Sequence, residues 1–518
     1  MHRRTGATST TIAVGALLLL AGCTPAPDAS ASVAVEVRAP EAPLTVIDDT
    51  DAAAAAIAAS EALFAASPAV VVSPEGAAEI AVATEVAVEL GVPLLVAATA
   101  GATAGPSESA TAGDPDALLA ELDRLDATQV VTIETDTDES ATTDGDRFGD
   151  RDVVPVGGSD AASDAAAALR DLDLAHEPSA AVVLATDETA AAVATARAAG
   201  ATVLSLPPAD PNPQRSSEAI RALHEADGAP AVAIGAEFAA AASLDWQVRT
   251  ARTGVELPGG GQVLFPDHLL VAEYGKPGSP TLGILGEQPL EQAVERAAGL
   301  AAEYDDLTDR TVMPALEIIT TLASGSPTPD GDYSSEPEPA DLLPWITAAG
   351  EAGQYVVLDL QPGRDTFVQQ LEEYRSLLEY PWVGLALDPE WRLDANQHHL
   401  ADIGQVDASE VNQVIDELAA ICDELDLPPK LLVLHQFRED MILHRDRIEL
   451  DRPEVDVLFH IDGSGTQPQK QVTWRALHDP ALDAAWGWKN FIDEDAPMLT
   501  PEHTMTDVDP VPDLVSYQ

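Results

Sequence analysis

Residues 354–388 read QYVVLDLQPGRDTFVQQLEEYRSLLEYPWVGLALD. An apolar run, 354–359, ends in the carboxylate Asp359. A stretch with helical patterning, 366–379, follows, and a second apolar run, 382–388, ends in Asp388. Continuous apolar strands joined by a helix belong to a parallel sheet covered on both faces. The same unit recurs on either side. Apolar runs lie at 268–273, 311–317, 430–435, 455–460 and 485–490, with helical stretches at 290–304 and 409–425 between them. Seven strands with crossover helices predict a (β/α)8-like barrel over 263–518, its eighth strand unplaced. A doubly wound open sheet is the alternative.

The strand ends carry the chemistry. Six of the seven close on Glu273, Glu317, Asp359, Asp388, His435 or His460. One such ending is an ordinary turn or helix cap. Six together mark a ligand or catalytic rim, because barrel enzymes place their reacting groups at the C-terminal strand ends.

Three chemistries suit these residues. Glycoside hydrolysis needs paired carboxyl groups, one protonated and one ionised, and Asp388, Glu390, Glu317 and Asp359 are the candidates. Trp391 and Trp488 would be sugar-stacking platforms, and Arg364, His435, Gln436, Lys489 and Asn490 further substrate contacts. The second chemistry is metal-dependent hydrolysis, with His435, His460 and Asp462 as ligands to a divalent ion such as zinc or manganese. No other cofactor is called for. The third is a barrel that binds a wall glycan without cleaving it. The sequence leaves the three open.

Upstream, 44–262 alternates apolar runs with alanine-rich helical stretches in an order that returns after a little over 100 residues. Runs at 69–72, 92–96 and 129–133 are answered by runs at 181–184, 201–205 and 231–234. This predicts two duplicated parallel α/β repeats. Composition changes at their end: before residue 262 there is one tryptophan, Trp246, and no tyrosine, whereas six tryptophans, seven tyrosines and eight histidines follow. The PGGGQ segment 258–262 is expected to act as a hinge.

The N-terminus is an address. Arg3 and Arg4 precede a short apolar run, 11–20, and then Leu20-Ala21-Gly22-Cys23. Basic start, short apolar stretch and small residues at the cut describe a secretory signal over 1–22. LAGC resembles the lipobox of bacterial lipoproteins. That resemblance implies a lipid on Cys23 and a protein anchored to the outer face of the cytoplasmic membrane, with 23–43 as a flexible linker rich in Pro, Ala and Ser. Cys422 is then the one remaining cysteine, so no intrachain disulfide can form.

A formal charge of −62, with only four lysines, suits a protein working in high salt and excludes nucleic acid as a partner.

Two longer resemblances add to this. The phrases AVVVSPEGAAEIAVATEVAVELGVPLLVA, ALLAELDRLDATQVVTIE and AVVLATDETAAAVATARAAGATVLSLP resemble the second type of cell-wall-binding repeat, which implies attachment to a wall polymer or polysaccharide. The phrases LDLQPGR, LALDPEWRL, LHQF, HIDGSG and GWKNFIDEDAP resemble an uncharacterised domain of actinobacterial exported proteins, over roughly 267–505. That second resemblance implies no activity.

Overall fold

A computed structural model describes residues 34–97, 115–134, 147–241 and 243–518. The expected signal peptide and Cys23 lie outside the described residues. Among those described, no helix is long and apolar enough to cross a membrane.

Among the described residues, eight strands build the two main sheets of the N-terminal part: β1 (Leu44–Ile47), β2 (Ala69–Pro74), β3 (Leu94–Ala97), β4 (Gln129–Ile133), β5 (Asp152–Val156), β6 (Val182–Ala185), β7 (Thr202–Ser205) and β8 (Ala231–Ile234). Its helices are α1 (Ala52–Leu63), α2 (Ala77–Leu90), α3 (Pro115–Arg124), α4 (Ala161–Ala168), α5 (Ala191–Ala198), α6 (Ser217–Glu225) and α7 (Leu244–Arg252). The strands form two four-stranded sheets, ordered β3-β2-β4-β5 and β7-β6-β8-β1, with every pair parallel.

Alanine makes the layer between the sheets thin. Helix α5 buries Ala191, Ala192, Ala194, Ala196 and Ala198, so α1 and α2 pack closely against it. The edge of β3 is closed by a side chain. The Thr195 hydroxyl donates to the Leu94 carbonyl at 2.9 Å and accepts from the Leu94 N–H at 3.0 Å. This satisfies both backbone groups of an edge residue that would otherwise be buried without partners.

The expected linker is shorter than 23–43. Val35 is buried in the core, and Glu36–Val37 pair with Phe64–Ala66, so the residues from Val35 onward belong to the fold. An apolar valine there gains more from burial than a solvated spacer would.

The C-terminal part is a closed barrel of eight parallel strands: β9 (His268–Gly275), β10 (Thr311–Ile319), β11 (Tyr355–Leu360), β12 (Val383–Leu387), β13 (Lys430–Gln436), β14 (Val455–Ile461), β15 (Ala485–Asn490) and β16 (Leu514–Tyr517). Outside it lie α8 (Leu290–Ala302), α9 (Pro339–Glu351), α10 (Phe367–Leu378), α11 (Ala408–Leu425), α12 (Gln467–Leu477) and α13 (Pro501–Asp507). All seven expected strands are present. The eighth is the four-residue LVSY near the C-terminus, where Leu514 is in register with both Leu270 and Gly487. This is a closed eight-stranded parallel barrel surrounded by helices, resembling the triosephosphate-isomerase architecture but with short 3-10 turns in place of an α-helix between β13 and β14, and the open-sheet alternative falls.

Strand periodicity sorts the barrel's side chains. One parity packs against the helices: Leu316, Ile318, Leu358, Leu360, Leu432 and Leu434, for example, join the large outer core. The other parity fills the interior with Leu270, Ala272, Met313, Ala315, Tyr355, Val357, Val433 and Leu458.

The 258–262 segment is no free hinge. Gln262 is buried, and its amide donates to the Thr250 and Val255 carbonyls at 3.0 and 2.7 Å. Leu257 and Leu264 join the interior cluster and plug the N-terminal mouth of the barrel. Ion pairs from Arg249 to Asp423 and from Arg215 to Asp267 tie the two parts together beside this plug.

Candidate functional site

The inward parity of the strands turns polar at one end of the barrel. Ala272 is followed two residues on by Tyr274, Ala315 by Glu317, Val357 by Asp359, and Ala386 by Asp388. Val433 is followed by His435, Leu458 by His460 and then Asp462, Gly487 by Lys489, and Leu514 by Ser516. An apolar barrel interior thus ends in a ring of ionisable groups at the C-terminal face. Tyr274, Glu317, Asp359, Asp388, His435, His460, Lys489 and Ser516 are all buried.

Glu317 is the centre of this ring. Its Oε1 lies 2.8 Å from His435 Nε2 and 3.9 Å from His460 Nδ1. Asp359 Oδ1 lies 3.9 Å from the same His435 nitrogen. Each of the other three carries a second partner at its other polar atom. His435 Nδ1 is 3.0 Å from Asp462 Oδ2, His460 Nε2 is 3.1 Å from Ser516 Oγ, and the Tyr274 hydroxyl donates to Asp359 Oδ2 at 3.0 Å. Glu317 Oε2, Asp359 Oδ1 and His460 Nδ1 are buried without a hydrogen-bond partner among the described residues. The Ser516 hydroxyl can donate or accept, so it satisfies His460 Nε2 in either tautomer, while Nδ1 is the ring nitrogen turned toward Glu317.

Burial and neighbouring charge push these groups apart. Burial alone would raise Glu317, but the adjacent His435 overrides it and holds the carboxyl at about 2. Asp462 is held at about 2 by His435 in the same way, against burial. His435, flanked by carboxylates, is held protonated well above the usual imidazole range although burial opposes its charge. Burial drives His460 down to about 3, so it is neutral. Burial lifts Asp359 to about 6 and Glu390 to about 7. Asp388 rises well above the ordinary carboxylate range through burial and then the neighbouring Asp359. The rim therefore holds ionised and protonated carboxyls side by side.

The outward parity removes several sequence candidates. Trp488 is only 1% exposed, edge-on to Trp474 at 5.6 Å, and donates to Asn490 Oδ1 at 2.9 Å. Neither Trp488 nor Asn490 can meet a ligand; both pack toward the helices. Gln436 is buried, accepts from Arg445 at 2.9 Å and donates to the Arg438 carbonyl. Glu273, also outward, lies 3.5 Å from Arg296. Arg364 stacks 3.9 Å above the Tyr333 ring and donates to the Gln397 carbonyl, so it holds loops together. Asp462 reaches the centre only through His435. Trp391 stays half-buried on the loop after β12, its ring 4.8 Å from that of His399, while the backbone N–H of Glu390 donates to Asp388 Oδ1 at 3.2 Å. Sequence reasoning missed Tyr274 and Ser516; strand parity is the signal that finds Tyr274, and Ser516 needed the eighth strand to be placed first.

No protein-family profile matches the chain, and no curated protein matches it. Among solved structures, Cwp6 from Clostridium difficile is similar with a TM-score of 0.29 at 13% identity, over 56% of this chain and 67% of that one.

Proposed function

We propose that the barrel is a metal-dependent hydrolase of the cell surface, with Glu317, Asp359, His435 and His460 as the ligands of one divalent ion. The observation that carries this is the convergence of Glu317, His435 and His460, with Asp359 Oδ1 3.9 Å from His435: Asp359 Oδ1 and His460 Nδ1 are buried without a partner among the described residues, Glu317 Oε1 and His435 Nε2 hydrogen-bond to each other, and each histidine, and Asp359, is held at its other polar atom. Outer partners of this kind fix the ligating atom of a metal-bound histidine. Two nitrogen and two carboxylate donors suit zinc, manganese or iron. A divalent ion there would supply Lewis acidity and a water nucleophile at neutral pH. The proton on His435 Nε2 in the metal-free ring occupies the direction in which an ion would be held.

The test is metal analysis of the purified full chain, followed by titration with zinc and manganese. Stoichiometric binding that disappears in Glu317→Ala and His460→Ala supports the reading. A chain that takes up neither ion sinks it.

A second reading rests on Asp388. A buried carboxyl that keeps its proton, beside ionised carboxylates and the half-exposed Trp391, fits an acid/base glycoside hydrolase without a metal. Turnover of a wall polysaccharide in the presence of a chelator, abolished by Asp388→Asn, would favour it.

The setting is part of the proposal: a lipoprotein anchored through Cys23 at the outer face of the membrane, its N-terminal part attached to wall polymer. The matched strand orders β3-β2-β4-β5 and β7-β6-β8-β1 support a reading of that part as two repeats, the second completed by β1.

A further inference from the structure

The metal reading leaves two inward side chains without a role, Asp388 and Lys489, and only the second is a cation. Lys489 follows Gly487 on β15 and is one of four lysines in an acidic chain of 518 residues. It is buried, 3% exposed. Its Nζ stands 3.5 Å from the centroid of the Tyr274 ring and 5.4 Å from that of Phe491. Tyr274 is the residue whose hydroxyl holds Asp359, so the ammonium lies one side chain away from a proposed metal ligand. Its charge acts on Glu317, Asp359, Asp462 and Glu390.

The contrast with Lys470 is instructive. Lys470 is also buried, but its ammonium donates to Asp495 at 2.7 Å and to the Lys489 carbonyl at 2.6 Å. Lys489 is within 4.0 Å of no carboxylate among the described residues, and ring faces neutralise it only in part. An ammonium has three donors, and only ring faces stand against this one among the described residues. A neutral glycoside or carboxylic ester gives such a group nothing to neutralise. An oxyanion does: one oxygen can face the metal and another the lysine.

We propose, resting on the metal reading, that Lys489 binds a non-bridging oxygen of the substrate and that the substrate is a phosphate ester. A tetrahedral phosphoryl group can meet a metal and a lysine at once, and Lys489 offers it an ammonium that no carboxylate pairs among the described residues.

Inorganic phosphate is the probe. Thermal unfolding of the full chain is followed at constant ionic strength with phosphate replacing chloride, both metal-free and loaded with manganese, and compared with Lys489→Met and Lys489→Arg. Phosphate should raise the midpoint of the wild type in both states, with its apparent affinity weakened at least tenfold in Lys489→Met and partly restored in Lys489→Arg. Metal content should be the same in all three. With manganese, the wild type should cleave bis(p-nitrophenyl) phosphate, and Lys489→Met should raise KM more than it lowers kcat. Equal phosphate affinity in wild type and Lys489→Met, or turnover of p-nitrophenyl acetate with none of the diester, overturns the proposal. Phosphate protection that depends on Lys489 in a chain binding no metal would instead retain the anion site and remove the metal reading beneath it.

Discussion

His435 and His460 are register partners on adjacent strands β13 and β14, and their ring centroids lie 4.9 Å apart. Two neighbouring interior positions of a parallel barrel thus carry imidazoles at one level. Burial and His435 keep His460 neutral, whereas Glu317 and Asp462 keep His435 charged. Replacing both by glutamine should abolish uptake of zinc and manganese while the far-ultraviolet circular dichroism stays that of the wild type. Retained stoichiometric metal would place the ligands elsewhere.

The outer partners should matter less than the ligands, but measurably. Asp462→Asn removes the carboxylate that orients His435 Nδ1, and Ser516→Ala removes the hydroxyl 3.1 Å from His460 Nε2. Each should weaken metal affinity about 10- to 100-fold without changing stoichiometry. Competition with a chromogenic chelator measures this directly.

Metal uptake should release protons. In the metal-free ring His435 holds a proton on Nε2 against Glu317, and an ion must displace it. Affinity should therefore rise with pH across the neutral range, and titrations in buffers of different ionisation enthalpy should report the proton released. Affinity independent of pH would mean that the ion does not use that nitrogen.

Stability without metal should depend on pH through the raised carboxyls. Asp388 and Asp359 have folded pKa values above those of the unfolded chain, so the folded state binds the extra protons. Their contribution is fully present below about pH 4, the unfolded value, and is lost as pH rises toward and past the folded values. In chelator, Asp388→Asn should be more stable than the wild type at pH 8, and the difference should shrink toward pH 4. Chemical denaturation at the two pH values tests the sign.

The barrel was legible because its strands are long and apolar on both faces, and a run such as KLLVLH at 430–435 has no other stable home. LVSY escaped because four residues between turns carry too little pattern to stand out. The rim was legible as a set of strand ends but not as a site. Trp488, Asn490 and Gln436 occupy the same strand ends as Lys489 and His435, and only the period-2 alternation separates those facing helices from those facing the interior. Counting inward from Val433 and Gly487 would have excluded them, and counting from Ala272 would have admitted Tyr274, whereas Ser516 was out of reach because its strand was not placed. The roles of Glu317 and Asp462 needed distances: two carboxylates on the two nitrogens of one histidine are equivalent in sequence and opposite in position.

Thr195 offers a test of the N-terminal part alone. Its hydroxyl serves both the N–H and the carbonyl of Leu94, in a buried setting where water cannot replace it. Thr195→Val keeps the shape and leaves both groups unpaired, so it should cost about 1–3 kcal/mol for each group left unsatisfied. Thr195→Ser should retain most of the stability. Urea denaturation gives the comparison, and a valine variant as stable as the serine variant would mean that the edge of β3 finds other partners.

Gly487 links packing to chemistry. It is the register partner of His460, and a Cβ built on it would lie 2.8 Å from His460 Cδ2 and 3.0 Å from Leu458 Cδ2. Neither neighbour can retreat freely, because the His460 ring is held at Nε2 by Ser516 and Leu458 belongs to the filled interior. The ring must turn, carrying Nδ1 away from Glu317. Gly487→Ala should therefore reduce metal affinity by at least tenfold, at a stability cost of about 1–3 kcal/mol typical of overpacking. The double variant Gly487→Ala, Ser516→Ala frees the ring from its outer partner, so in a double-mutant cycle the two affinity losses should be strongly non-additive. Strict additivity would mean that Gly487 and Ser516 act on the centre by separate routes and that His460 is not the element they share.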